Sequence, residues 1–288
     1  TYSLGLSGNY YANIYTDKLF LNSTATLDGG TAGVANLTGE FNVNGVKSIY
    51  IPDQASFGGS MFFGNGGRNL SYVSDTNGRC NNAMGYDALL SNTTGSLNNA
   101  MGFAALKSNT TGVDNNAMGY FAMENNTTGH YNSAHGNSAL RLNTTGSFNS
   151  ALGLLSLYSN NGSSNSGLGT YALNANTTGS NNSAVGSHAG RYIADGSTAN
   201  AITNNSVFIG YGTKALANNQ TNQTVIGYNA IGNGSNTVTI GNSSVTGNFF
   251  SGNIESTTVS GGVILKSPDG TRYKLTIANG GTVSVTAA

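Results

Sequence analysis

Charge is the scarcest commodity in this 288-residue chain. Only 8% of it is Asp, Glu, Lys or Arg, against about 25% in ordinary soluble domains. Eleven basic and eleven acidic residues cancel to a net charge of +0. The Lys and Arg residues do not cluster, so a nucleic-acid backbone finds no footprint and a basic membrane-surface helix is absent. The single cysteine, Cys80, excludes an intrachain disulfide and reads as a buried or lead-in structural thiol. No run of 18 apolar residues occurs, so no helix spans a membrane. Proline is down to two residues and Trp is missing. Disorder usually comes with charge or proline, and here the small apolar residues are periodic instead. These absences favour an ordered stack.

What is present is a repeat of seventeen residues. Its phase is set by Gly85, Gly102, Gly119, Gly136, Gly153, Gly169 and Gly186, at steps of 17, 17, 17, 17, 16 and 17. A short fixed period means stacked similar units, each contacting only its neighbours. Before each glycine stands Met84, Met101, Met118, His135, Leu152, Leu168 or Val185, which we read as the core-facing stripe of a short strand. Three residues after it comes a small residue, such as Ala105, and then a large one, such as Leu106. Units are joined by Asn-Thr-Thr-Gly, as at 109–112, whose Asn and Gly suit tight returns. The Ala-Leu-x-Ser stretch fits either a strand or one helical turn. Val207-Phe208-Ile209-Gly210, Thr224-Val225-Ile226-Gly227 and Val238-Thr239-Ile240-Gly241 continue the pattern with β-branched residues, which favour strand.

The organisation read from these patterns is a β-rich N-terminal segment, 1–61, followed by the repeat array, 62–190. An insertion loop, 191–205, separates the array from Val/Ile-rich rungs, 206–242. A neck, 243–260, leads to a C-terminal β module, 261–288. In that module two alternating strands flank Ser267-Pro268-Asp269-Gly270, with a third strand at Thr282–Thr286. The expected fold is all-β: a parallel β-roll or β-solenoid of about ten short repeats with a terminal hairpin. One rung offers few apolar side chains against the ordering of seventeen residues. We therefore expect several chains to associate.

The array resembles the head repeats of trimeric autotransporter adhesins, on the strength of Thr237-Val238-Thr239-Ile240-Gly241-Asn242 and the 14-residue step from Gly227 to Gly241. The longer unit, as in Asn99-Ala100-Met101-Gly102-Phe103, looks more like the version in bacteriophage tail fibres. The segment Lys266-Ser267-Pro268-Asp269-Gly270-Thr271-Arg272-Tyr273 is similar to a short terminal module of phage tail proteins and tilts the comparison that way. The resemblance covers roughly 62–277. It implies a homotrimeric virion fibre that joins other tail or baseplate proteins. It also implies binding to a host-surface glycan or outer-membrane receptor, without cofactor, nucleic acid or membrane insertion. A bacterial surface adhesin fragment and a glycan-degrading spike are the alternatives.

Candidate chemistry is thin. Glycan cleavage needs paired carboxylates, yet Asp87 and Glu124 occupy different places in their repeats, and no catalytic residue is assigned. His135 interrupts the apolar stripe. Three copies of it around a threefold axis would hold a metal or anion; a neutral, hydrogen-bonded core histidine is the plainer reading. His130 and His188 are expected at the surface. The Asn-Thr-Thr sequences match the N-glycosylation acceptor, which turn chemistry explains equally well. Tyr86, Phe103, Tyr120, Tyr131 and Phe148 suit either sugar stacking or packing between rungs and chains. No receptor-binding residue is assigned.

Overall fold

The computed structural model describes residues 78–247 continuously. It also describes 26–28, 36–43, 46–51, 61–63, 263–266, 271–277 and 283–287. The chain divides into two units, Thr1–Ser244 and Val245–Ala288. Among the described residues there is no helix, so the open choice for Ala-Leu-x-Ser resolves to turns.

In the first unit β1 (Thr26–Asp28), β2 (Asn36–Val43) and β3 (Val46–Ile51) run antiparallel, and β3 hands on to β4 (Met61–Phe63). From β4 onward the pairing is parallel. It runs through β5 (Asn82–Met84), β6 (Asn99–Met101), β7 (Asn116–Met118), β8 (Ser133–His135), β9 (Ser150–Leu152), β10 (Ser166–Leu168) and β11 (Ser183–Val185). Two residues, β12 (Thr203–Asn204), pair on a separate face with β14 (Gln220–Thr221). The main ladder resumes at β13 (Val207–Ile209), β15 (Gln223–Ile226) and β16 (Thr237–Ile240). The result is a β-solenoid of about nine turns. Register is strict: Asn82 faces Asn99, Ala83 faces Ala100 and Met84 faces Met101.

Register places like residues on like, and the phasing glycines follow from it. Gly85 has φ +139°, and a Cβ there would collide with the Gly102 carbonyl. From Asp87 to Asn181, three further places in each turn adopt left-handed backbone without glycine, as in Ala104 (φ 54°), Leu106 (φ 50°) and Asp114 (φ 58°). Each costs about 1–2 kcal/mol, offset by rung-to-rung hydrogen bonds such as Leu106 N–H to the Ala122 carbonyl (3.0 Å). The turn after Asn109 uses no positive φ at Gly112. That glycine is required because a Cβ would strike the Asn109 side chain.

One expectation is reversed. The middle residue of each short strand, Ala83, Ala100, Ala117 or Ala134, is buried, and the residue before the glycine points outward. Met84, Met101, Met118, Leu152, Leu168 and Val185 are 41–50% exposed, so they form an outer column and not the core. The coil is too narrow to hold Met from the strand wall, because Leu89, Leu106, Met123, Leu140, Leu157 and Leu173 fill it from the opposite wall.

The interior is also lined by asparagine. Asn98 Nδ2 donates to Asn81 Oδ1 (3.1 Å) and to the Gly112 carbonyl (2.8 Å). Its Oδ1 accepts from Asn115 N (3.0 Å) and Nδ2 (3.1 Å). The amide thus uses both donors and both lone pairs, which burial demands. The pattern continues through Asn132 and Asn149. A second ladder joins Asn92, Asn109, Asn126 and Asn143 at 2.7–2.9 Å.

The second unit holds a three-stranded antiparallel sheet of β17 (Val263–Lys266), β18 (Arg272–Ile277) and β19 (Val283–Ala287). This is the hairpin with a third strand that the sequence implies. The Ser267–Gly270 turn and most of the neck lie outside the described residues.

Candidate functional site

The solenoid turns each repeat position into a column, and function has to be sought in columns. The outward apolar column runs from Met84 through Met101, Met118, His135, Leu152, Leu168 and Val185 to Ile209 and Ile240. Beside it stand aromatics. Tyr86 stacks on Phe103 (5.4 Å, 12°) and Phe103 on Tyr120 (5.2 Å, 19°), with Phe121 edge-on to both. On another column Tyr131 stacks on Phe148 (5.0 Å, 15°). Tyr211 and Tyr228 form a further pair (5.6 Å, 16°). These rings pack between rungs, yet all but Phe121 stay substantially exposed. Equal side chains at the period of the repeat produce this, since in-register rungs bring their rings to within van der Waals reach.

His135 sits in the apolar column between Met118 and Leu152 and is half-buried. Its Nε2 is covered by its own chain and has no hydrogen-bond partner. Among the described residues no three His, Cys, Asp or Glu side chains gather at metal-binding spacing. His130 and His188, expected at the surface, are also half-buried. The thiol of Cys80 is exposed, so of the two readings, buried or lead-in, burial does not hold.

Few charges fall in this region, and two pairs of them are matched across rungs. Lys107 lies 3.0 Å from Asp87, whose hydrogen bond is the main reason its ammonium titrates above the ordinary lysine value. Arg141 Nε donates to Glu124 at 2.7 Å and its guanidinium lies over Phe121 at 4.2 Å. Asp195 is held at about 2 by the Thr198 hydroxyl and the Ser197 and Thr198 backbone N–H groups.

The coil is interrupted between Gly186 and Gly210. There the chain leaves at Tyr192, which bridges to Ala199, and returns at Asn200, whose Nδ2 donates to the Gly190 carbonyl (3.1 Å). At the base of this loop Arg191 lies over Tyr171 (4.1 Å) and Tyr192 (4.6 Å). His188 sits between Tyr171 (5.1 Å) and Tyr211 (5.9 Å). Burial, and then the charge of Arg191, lower its pKa. Sequence reasoning picked out the loop but not this cluster, because Tyr171 and Arg191 meet only once the rungs are stacked.

No protein-family model, curated protein or solved structure matches the chain.

Proposed function

We propose that this chain is a shaft-forming fibre protein that assembles in parallel with copies of itself and displays adhesive surfaces, as virion tail fibres do. The observation that carries this reading is the outward apolar column. A row of Met, Leu, Val and Ile, broken at His135, along a nearly uncharged solenoid is a surface that calls for a partner. A copy in the same direction offers the same row at the same spacing. The number three, and the placement on a virion that binds a host-surface receptor, rest on the resemblance of the repeats and terminal module. A bacterial surface adhesin would use the same column in the same way. A non-enzymatic role is supported by Asp87 and Glu124, which are each engaged by a cation and lie at different repeat positions. Repeated weak contacts along such a shaft would add through avidity. Light scattering of the purified chain tests the assembly; the expected mass is three times 29.3 kDa. Saturable binding of the labelled fibre to host cells tests the adhesion, and a 29.3 kDa particle that binds no cells would reject the reading.

A further inference from the structure

The solenoid contains a comparison made on its own rungs. The fifth residue after each phasing glycine forms one column, which includes Lys107, Glu124, Arg141, Tyr158, Asn174 and Arg191. Twice in that column an arginine lies over an aromatic ring of the preceding rung: Arg141 over Phe121 and Arg191 over Tyr171, at 4.2 and 4.1 Å. The two sites differ in what completes them. Below Arg141 the column neighbour is Glu124, which accepts its hydrogen bond at 2.7 Å. Below Arg191 the neighbour is Asn174, whose amide donates to the Leu155 carbonyl (3.0 Å) and brings no charge. Asp195, in the adjacent loop, is committed to the Ser197 and Thr198 N–H groups of its own turn. Arg191 therefore has the stacked geometry of Arg141 without the carboxylate, beside the insertion between Gly186 and Gly210.

We infer that Arg191, Tyr171, Tyr192, His188 and Tyr211 form a binding site for an anionic saccharide, the anion taking the place at Arg191 that Glu124 fills at Arg141. A guanidinium fixed by stacking presents a planar fork matched to carboxylate or phosphate. The surrounding tyrosines offer hydroxyls and ring edges to a sugar. Lys214, on the next rung, is held by the Gly212 carbonyl (3.1 Å) and adds positive potential. This proposal rests on the fibre reading and names the chemistry of its receptor. The shared feature of the ligand is a sugar bearing a negative group, which a uronic acid or a phosphorylated sugar would supply equally.

The experiment is calorimetric titration of the full chain with three probes: oligogalacturonate, its methyl ester, and a phosphorylated mannose oligosaccharide. Binding to at least one charged probe is expected, weakening as salt rises, with none to the ester. Arg191→Ala should weaken it roughly tenfold or more, as expected for loss of a hydrogen bond to a charged group. Arg191→Lys should fall between, and Lys107→Ala should leave it unchanged. The probe that binds identifies the anion. Equal binding of the ester, no binding of either charged probe, or an unchanged affinity in Arg191→Ala would overturn the site. Light scattering on the same samples separates the two readings. A trimer that binds no probe retains the fibre and rejects the site, and a monomer that binds through Arg191 does the reverse.

Discussion

Phe208 occupies the space that Gly190 leaves. Gly190 stands in the column of buried leucines, and Phe208 in the column of buried alanines on the next rung. A Cβ built on Gly190 would lie 2.9 Å from Phe208 Cδ2 and 2.9 Å from Leu173 Cδ2. The backbone at Gly190 (φ 66°) is left-handed, as it is at the leucines of the same column, such as Leu173 (φ 46°). The pair therefore exchanges a small–large combination for a large–small one without changing the path of the chain.

A double-mutant cycle follows. Phe208→Ala alone should open a cavity and cost about 3–5 kcal/mol. Gly190→Leu alone should overpack the rung and cost about 1–3 kcal/mol or more. The double variant restores the rung found at Leu106 and Ala117, and should recover most of both losses. Denaturant unfolding of the four proteins measures this, and additive losses would refute the exchange.

The asparagine ladder predicts a loss that no apolar accounting would give. Asn115→Ala removes the acceptor of Asn132 N (3.0 Å) and Nδ2 (3.1 Å) inside the coil. A buried polar group left without a partner costs about 1–3 kcal/mol. Thermal unfolding should show the drop in Asn115→Ala, whereas Asn116→Ala, one residue along on the outer face, should change little.

How far the sequence reveals this structure can be followed residue by residue. Gly102, Gly119 and their equivalents announce the stack, because a parallel in-register ladder admits no side chain at that turn. Val207 and Ile226 announce strands through branching at Cβ. The direction of each strand's faces is hidden. Alternation shows that Ala100 and Met101 point opposite ways but not which way is in, and size favours Met. The cross-section decides for Ala because Leu106 already fills the opposite wall. Asn109 reads as a turn residue and Asn98 gives no signal, since only stacking at the repeat period gives their amides partners inside. The Arg191 cluster is hidden for the same reason: Tyr171 is twenty positions away in the chain and one rung away in space.

The outer column makes association sensitive to a single charge. Met118→Glu places a like charge in every copy at the same height, between Met101 and His135. Light scattering should show loss of assembly, with the β-rich circular dichroism of the coil retained because Met118 is outside it. Persistence of the assembled mass would mean that another face makes the contact.

Stability should also depend on pH through His188. Its pKa is lowered, first by burial and second by the charge of Arg191, so the unfolded chain binds a proton more readily than the folded one. The stability from the neutral ring is fully present above the ordinary value of 6.5 and is lost as pH falls below it. His188→Gln should flatten the fall in melting temperature between about pH 7 and pH 5, a window set by the unfolded histidine value. Arg191→Ala should flatten it in part. An identical fall in the wild type and His188→Gln would refute the role of His188.

The single 16-residue step offers a stabilising insertion. One residue is missing from the turn Asn160-Asn161-Gly162, where other rungs read Asn-Thr-Thr-Gly. Asn160 Nδ2 keeps the bond to its turn glycine, the Gly162 carbonyl (2.8 Å), but does not reach back to Asn143, whose Oδ1 is left buried without a partner. The Asn161 side chain stands in for the lost carbonyl, accepting from Thr144 N (2.6 Å) and Oγ1 (2.8 Å). Placing a Thr between Asn161 and Gly162 restores the full turn. Asn160 could then donate to Asn143, as Asn126 donates to Asn109 (2.8 Å), and the main-chain carbonyl of residue 161 could take over from its side chain. The expected gain is about 1 kcal/mol, the net worth of one buried hydrogen bond. It should be seen as a higher midpoint in denaturant and should vanish when the insertion is combined with Asn143→Ala.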